Sequence, residues 1–320
     1  MEFDYKKFAE EMLKQMPGSY SSVTLIEFTE QIIAFTKSNR AEKTCEGVKL
    51  VCKKLLNFFS PIRKLDTILL KDAEDFLDSL KKNAPKGIYN YHRTLRAMWN
   101  KAKQWNYVQA NPFEQVKLKK RQMQKPVYVT EQQLEEIVKQ IDSEIVKDVV
   151  VTAFYSGCRL SEIVNVTWRD VNLKDDLLII GNKNYETKTR KQRVVPIHTK
   201  VKEILMRKVK SKKIKVKSEG EESTLIRLPD KKDFVFGKGN DRFKFTGDYF
   251  SRRFKRACRL AGVEEEIHFH CLRHGAATKM IMSGAPLPAV QRILGHANIQ
   301  TTMIYTHPSI EDLREAVNRL

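Results

Sequence analysis

From Leu25 to Val108 apolar residues recur every three to four positions, as in Phe28, Ile32 and Phe35, then Val48, Val51, Leu55 and Phe58, then Ile68, Phe76 and Leu80. That period buries one face of a helix, so the stretch predicts four or five helices. Pro61, Pro85-Lys86-Gly87 and Asn111-Pro112 separate them. The pattern fades between Phe113 and Lys125, where Lys117, Lys119, Lys120 and Arg121 meet few large apolar residues after Leu118, which predicts an exposed basic connector. Helical signals then resume. Thr130 and Gln133 have the spacing of a capping box, and the apolar run Val149–Tyr155 predicts a buried helix ending near Ser156-Gly157. Leu177–Ile180 and Val194–Ile197 are short β-prone runs flanking a polar stretch, Gly181 to Arg193, and predict a hairpin with an extended basic loop. Lys208–Lys232, rich in Lys and Glu, predicts a loose surface connection, and the chain beyond Asp248 is expected to be helical.

The fold expected is mainly α. Residues 1–24 form an N-terminal extension, 25–112 an all-helical domain, 113–127 a basic linker, and 128–320 a mostly helical domain with a small β-sheet. Charge sharpens this picture. Lys and Arg total 59 against 39 Asp and Glu, a formal net charge of +20 that repels itself unless a polyanion neutralises it, so nucleic acid is the leading candidate partner. The helix before the connector interleaves Arg93, Arg96, Lys101 and Lys103 with Tyr89, Tyr91, Trp99 and Trp105. It can lie along a DNA backbone, or it can be an ordinary amphipathic helix with aromatic core residues and a solvated basic face. The five cysteines are scattered without a Cys-x-x-Cys pair, so neither a disulfide framework nor a zinc site is expected. With no apolar run of about 18 residues and no signal-like N-terminus, a cytoplasmic location away from any membrane is expected.

Four separated pieces carry candidate chemistry: Gly157-Cys158-Arg159-Leu160-Ser161-Glu162, Thr187-Lys188-Thr189, His270-Cys271-Leu272-Arg273, and Leu294-Gly295-His296 followed by Tyr305. Each piece alone is weak, but their order and spacing resemble the active-site signature of the tyrosine recombinases, the family of phage integrases and Xer-type recombinases. The resemblance covers Thr130 to about His307 by motif and the preceding helices by architecture only. It implies catalytic roles for Arg159, Lys188, His270, Arg273, His296 and Tyr305, with Tyr305 attacking a DNA phosphate to form a 3′-phosphotyrosyl bond.

The chemistry suits these residue types. Phosphodiester exchange develops negative charge on the non-bridging oxygens, which two planar guanidiniums, Arg159 and Arg273, can hold through paired charge-assisted hydrogen bonds. A neutral phenol is a poor nucleophile, so Tyr305 needs a proton acceptor, for which His270 is the candidate. The resemblance implies that Lys188 protonates the departing 5′ oxygen, with Lys183 and Lys191 as nearby rivals, and that His296 hydrogen-bonds a phosphate oxygen. Glu162, three residues after Arg159, is expected to orient a catalytic histidine. The scheme needs no metal and no cofactor, because the phosphotyrosine stores the bond energy. His268, His270 and His274 match no zinc spacing.

Together these readings predict a site-specific DNA recombinase whose two domains grip opposite sides of a duplex, mainly through phosphate contacts from residues including Arg93, Arg96, Lys101, Lys117, Lys119, Lys120 and Arg121. The short segment before Leu25 leaves no room for an added arm-binding module, which favours an Xer-like layout. Rival readings are a type IB topoisomerase with similar residues and a DNA-binding protein that has lost catalysis. After the nucleophile, Ile310, Leu313, Val317 and Leu320 form an apolar stripe that either packs on its own domain or, as the resemblance implies, docks on a neighbouring protomer to build a tetramer on paired sites. Accessory proteins that set direction are a further expected partner.

Overall fold

The structure, a computed structural model, describes residues 23–83, 85, 87–119, 126–181, 192–210, 213–218, 221–226, 230–238, 243–306, 314 and 317–318. Its contacts divide the chain into two units, Met1–Gln122 and Met123–Leu320.

In the first unit Thr24 caps α1 (Leu25–Asn39) through a capping box with Glu27. α2 (Glu42–Phe58) buries Cys45, Val48, Val51, Cys52 and Leu55, the one stripe that its spacing dictates. A 3₁₀ turn, Leu65–Thr67, leads to α3 (Leu70–Asn83) and α4 (Ile88–Gln104). Asn111 then caps the single turn α5 (Pro112–Gln115), with Pro112 in the first turn where its missing N–H costs nothing. The core closes around Trp99, fully buried and edge-on to Phe28 at 5.6 Å and to Phe113 at 4.6 Å. Tyr89, Tyr91 and Trp105 pack against the same core while Arg93 and Arg96 face solvent, so α4 is an amphipathic helix with its aromatic residues turned inward.

The second unit opens with α6 (Glu131–Lys139), started by the Thr130–Gln133 capping box. α7 (Glu144–Ser156) buries Val146, Val149, Val150, Ala153 and Phe154 and stops at Gly157, whose φ of 64° is left-handed. One further turn, α8 (Leu160–Ile163), precedes a three-stranded antiparallel sheet of β1 (Val171–Asn172), β2 (Leu177–Ile180) and β3 (Arg193–Pro196). The hairpin β2–β3 pairs Leu177 with Pro196 and Ile180 with Arg193. Beyond α9 (Thr199–Lys210) the expectation of a loose connection over Lys208–Lys232 is corrected: β4 (Lys213–Ser218) pairs with β5 (Glu221–Ile226) in an antiparallel ladder. The physical reason lies in the two-residue alternation of Lys213, Lys215 and Lys217 with Ile214 and Val216, which is the period of a strand.

A small ladder of β6 (Gly237–Lys238) and β7 (Phe243–Lys244) precedes α10 (Gly247–Leu260), α11 (His270–Met282), α12 (Leu287–Leu294) and α13 (Gln300–Met303). α11 runs against α7 and against the incoming chain at Val129, whose N–H donates to the Cys271 carbonyl. Gly275 permits that approach: a Cβ there would run into the Val129 carbonyl oxygen and lie 2.8 Å from the Phe154 ring. Of the expected tail stripe, Ile310, Leu313 and Leu320 lie outside the described residues; Arg314, Val317 and Asn318 are helical and Val317 is exposed.

Because backbone and ring crowd Gly275 together, Gly275→Ala is expected to lower unfolding free energy by about 1–3 kcal/mol, as overpacking does, and to slow any activity that depends on α11. Urea denaturation followed by tryptophan fluorescence checks this, and an unchanged midpoint contradicts it.

Candidate active site

The turn after α7 brings Arg159 to the start of α8, where the Glu162 carboxylate accepts the Arg159 backbone N–H at 2.8 Å and its guanidinium Nη1 at 3.0 Å. The same carboxylate receives a bidentate pair from Arg193, Nη1 at 3.0 Å and Nη2 at 2.7 Å. Both partners are buried, with 1% of the Glu162 and 8% of the Arg193 side chain exposed. Burial pushes the Glu162 carboxyl up, but the Arg193 hydrogen bonds and charge, with Arg159 behind them, outweigh it and hold the acid below its ordinary value. This corrects the expectation that Glu162 orients a histidine: its oxygens are taken by two guanidiniums and a backbone N–H.

Arg193 does more than neutralise Glu162. Its Nε donates to the Ile293 carbonyl at 2.8 Å, and its side chain lies 3.0 Å from the Cβ position of Gly295. The first residue of β3 therefore joins the Arg159 turn to the end of α12. Arg273, 2% exposed, joins the same two segments from α11, donating to the Gly157 carbonyl at 2.7 Å and the Leu294 carbonyl at 2.6 Å. Burial first, and then Arg159, pull its guanidinium down to about 10, so it stays charged at neutral pH. Three guanidiniums thus crowd one carboxylate, and the positive excess favours an incoming anion.

His296 follows Gly295, which ends α12 with φ 68°, and its Nδ1 lies 2.8 Å from the hydroxyl of fully buried Thr302. With Nδ1 accepting the threonine proton, Nε2 carries the hydrogen that a phosphate oxygen would receive. Tyr305, just past α13, is 5% exposed and packs with Ala277, Val290 and Leu294. Burial raises its phenol above the ordinary value, and the charges of Arg273 and Arg159 oppose that rise.

The phenol's partner is His274: Nδ1 and the Tyr305 hydroxyl are 2.6 Å apart. His270, the expected proton acceptor, stands edge-on to His274 with ring centroids 4.8 Å apart and makes no hydrogen bond to Tyr305 among the described residues. Both imidazoles fall on one face of α11, four residues apart. Sequence reasoning passed over His274, Thr302 and the structural part played by Arg193. The four-residue spacing from His270 was the available signal for His274, and the need of a buried Glu162 for a cation was the signal for Arg193.

The structure brings Arg159, Glu162, His270, Arg273, His296 and Tyr305 together within the second unit. Lys188 and its rivals Lys183 and Lys191 lie outside the described residues, in the segment joining Ile180 to Arg193. In the first unit Arg93, Lys117 and Lys119 are exposed. Arg96 pairs with Glu114 at 3.4 Å, and Lys101 lies over the Phe35 ring at 4.4 Å. Lys120 and Arg121 lie outside the described residues.

The profile of the phage integrase family matches residues 127–311, and that of the phage integrase SAM-like domain matches residues 24–121. A tyrosine recombinase of Thermosipho africanus is 26% identical over 306 residues, 92% of this chain and 99% of its own length. The tyrosine recombinase XerC of Bacillus subtilis is 27% identical over 312 residues, 94% of this chain and 90% of its own. Among solved structures, the Tn1549 transposon integrase in complex with a circular intermediate DNA superposes with a TM-score of 0.75 at 23% identity, covering 93% of this chain and all of that one. A λ integrase dimer bound to a core site gives 0.69 at 17%, covering 87% and 97%. The fold is that of the DNA strand-exchange enzymes that use a tyrosine. The chain belongs to the phage integrase family, the tyrosine recombinases, and nothing in these relationships favours the topoisomerase reading.

Burial first, and then His268 and Arg273 for His274, or Arg273 and Arg159 for His296, push both imidazoles down to about 4 from an ordinary 6.5. Between those values the unfolded chain binds protons that the folded domain excludes, so this stability is fully present above pH 6.5 and is lost as pH falls toward 4. His296→Asn, which cannot titrate, is expected to lose roughly 1–2 kcal/mol less than the parent between pH 7 and pH 5. Urea midpoints at the two pH values check this, and parallel losses contradict it.

Proposed function

We propose that this recombinase cleaves and rejoins DNA by metal-free transesterification, with Tyr305 as the nucleophile that forms a 3′-phosphotyrosyl bond. The observation that carries the reading is a buried phenol beside two arginines and an imidazole-rich helix face, in a chain of the tyrosine recombinase family. Arg159 and Arg273 hold the non-bridging oxygens of the scissile phosphate. Each keeps N–H groups beyond those it gives to protein acceptors, since a guanidinium has five. His296 donates to one of those oxygens, and His270, at the exposed start of α11, faces the same phosphate. Lys188 protonates the departing 5′ oxygen. The bond broken in the DNA is replaced by the phosphotyrosyl bond at nearly equal energy, so the chemistry itself requires no cofactor.

Duplex DNA is the substrate. Arg93, Lys117 and Lys119 are exposed cations suited to its phosphates, with Lys120 and Arg121 continuing the basic run, while Arg96 and Lys101 already have partners in the protein and contribute less. We further infer that protomers assemble as a tetramer on paired sites through the tail after Tyr305, that directionality proteins act on this assembly, and that the enzyme works in the cytoplasm. The exposed Val317 and the apolar residues around it support the tail's part. No helix among the described residues is long and apolar enough to cross a membrane.

The test is a nicked suicide duplex in EDTA. The parent protein is expected to form a denaturant-resistant DNA adduct and Tyr305→Phe none, while Arg159→Ala and Arg273→Ala bind DNA but lose cleavage by about 100- to 1,000-fold, the scale for losing one oxyanion donor. An adduct with the phenylalanine variant, or a strict need for divalent metal, overturns the reading.

A further inference from the structure

We propose that Thr302 is a positioning residue for strand cleavage: its buried hydroxyl fixes the His296 ring as a hydrogen-bond donor aimed at the scissile phosphate, and its carbonyl ties that ring to the turn that carries Tyr305. The proposal rests on His296 meeting a phosphate oxygen and names what sets its aim.

The direction of the bond follows from burial. Thr302 on α13 is fully buried, so no water replaces a lost partner, and among the described residues its hydroxyl has one hydrogen-bond partner, Nδ1 of His296 at 2.8 Å. A buried hydroxyl hydrogen without an acceptor is costly. If Nδ1 carried a hydrogen, in the other neutral tautomer or in the imidazolium, the threonine oxygen would accept it and its own hydrogen would be stranded. The hydroxyl therefore donates, Nδ1 accepts and the ring hydrogen sits on Nε2. Burial first, then Arg273 on α11 and Arg159 beside α8, with His270 and Arg193 behind them, also disfavours a second proton on the ring. His296 is thus a donor and not a proton carrier, and Nε2 makes no hydrogen bond among the described residues that would occupy its hydrogen.

The same residue reaches the nucleophile. Gln291 holds the His296 main chain: its carbonyl accepts the His296 N–H at 3.1 Å, and its side-chain amide donates to the His296 carbonyl at 3.1 Å. What stays free is rotation of the ring about its side-chain bonds, and the Thr302 contact removes it. The Thr302 carbonyl accepts the Tyr305 N–H at 3.2 Å, and the His296 and Tyr305 rings lie 16° from parallel with centroids 6.4 Å apart. One residue thereby sets donor and nucleophile relative to each other.

The test is single-turnover cleavage of nicked duplexes by the full chain, comparing the parent with Thr302→Val, which keeps the shape without the hydroxyl, and Thr302→Ser, which keeps the hydroxyl. The valine variant is expected to cleave about 10- to 100-fold more slowly, the scale of one buried hydrogen bond, and the serine variant at close to the parental rate. Two further duplexes carry a methyl group in place of one or the other non-bridging oxygen of the scissile phosphate. The deficit of the valine variant should persist on one isomer and vanish on the other, which lacks the oxygen that His296 meets. A threonine that only supports the fold would slow cleavage alike on both. Nitrogen NMR of the parent's imidazoles should show His296 with Nδ1 bare and Nε2 protonated at neutral pH.

Near-parental cleavage by Thr302→Val, an equal deficit on both isomers, or a hydrogen on Nδ1 in the parent overturns the proposal. Normal cleavage by His296→Ala removes the phosphate contact beneath it, and the proposal with it. Slow cleavage by His296→Ala beside normal cleavage by Thr302→Val overturns the threonine's part alone. If the valine variant unfolds, the nitrogen spectrum of the parent decides.

Discussion

Burying a carboxylate is costly unless cations and hydrogen bonds replace its water, and the Glu162 carboxylate, 1% exposed, has both. Arg193 meets it with two nitrogens and Arg159 with a third, while the Arg159 backbone closes the cage. The Arg159 guanidinium, which the proposed reaction sets against the scissile phosphate, is thereby held at a fixed place. Because Arg193 also bonds the Ile293 carbonyl and abuts Gly295, the same ion pair ties the Arg159 turn to the residue before His296. The site is thus a positive cluster organised around one negative charge, with Arg273 adding a further cation that, among the described residues, bonds backbone carbonyls. In the proposed reaction such preorganised charge would favour the transition state over water because it need not reorient.

The helices deliver these groups through turns with little tolerance. Gly157 ends α7 at φ 64°, and a Cβ there would stand 2.7 Å from the Leu294 Cδ2 atom. Gly295 ends α12 in the same left-handed region and leaves room for the Arg193 side chain. Both glycines precede a candidate site residue, Arg159 or His296, by one or two positions, so the backbone conformation that glycine permits also aims the side chain that follows.

Much of this was legible in the sequence. The three- to four-residue apolar spacing of Val48, Val51 and Leu55 marks a buried stripe, Thr130 and Gln133 mark a helix start, and Leu177–Ile180 marks a strand, because each rests on local periodicity or capping. The separated motif residues that the structure brings together, Arg159, His270, Arg273, His296 and Tyr305, were legible only jointly, through their order. Pair partners were not. Nothing along the chain links Glu162 to Arg193, 31 residues apart, or His274 to Tyr305, also 31 apart, since such contacts depend on how helices and strands pack. The ladder β4–β5 escaped notice for a different reason: its Lys-rich composition outweighed an alternation that was present at Lys213–Lys217.

The Glu162–Arg193 pair organises the candidate site. The most direct test is the coupling energy between these residues in a double-mutant cycle of Glu162→Gln, Arg193→Met and both together, followed by denaturant unfolding with DNA cleavage measured on each. Each single change is expected to cost about 3–5 kcal/mol, because it leaves a buried charge without its partner. The double variant should cost less than the sum by about 1–3 kcal/mol while cleavage stays lost. Strictly additive costs, or normal cleavage by the double variant, would contradict the account.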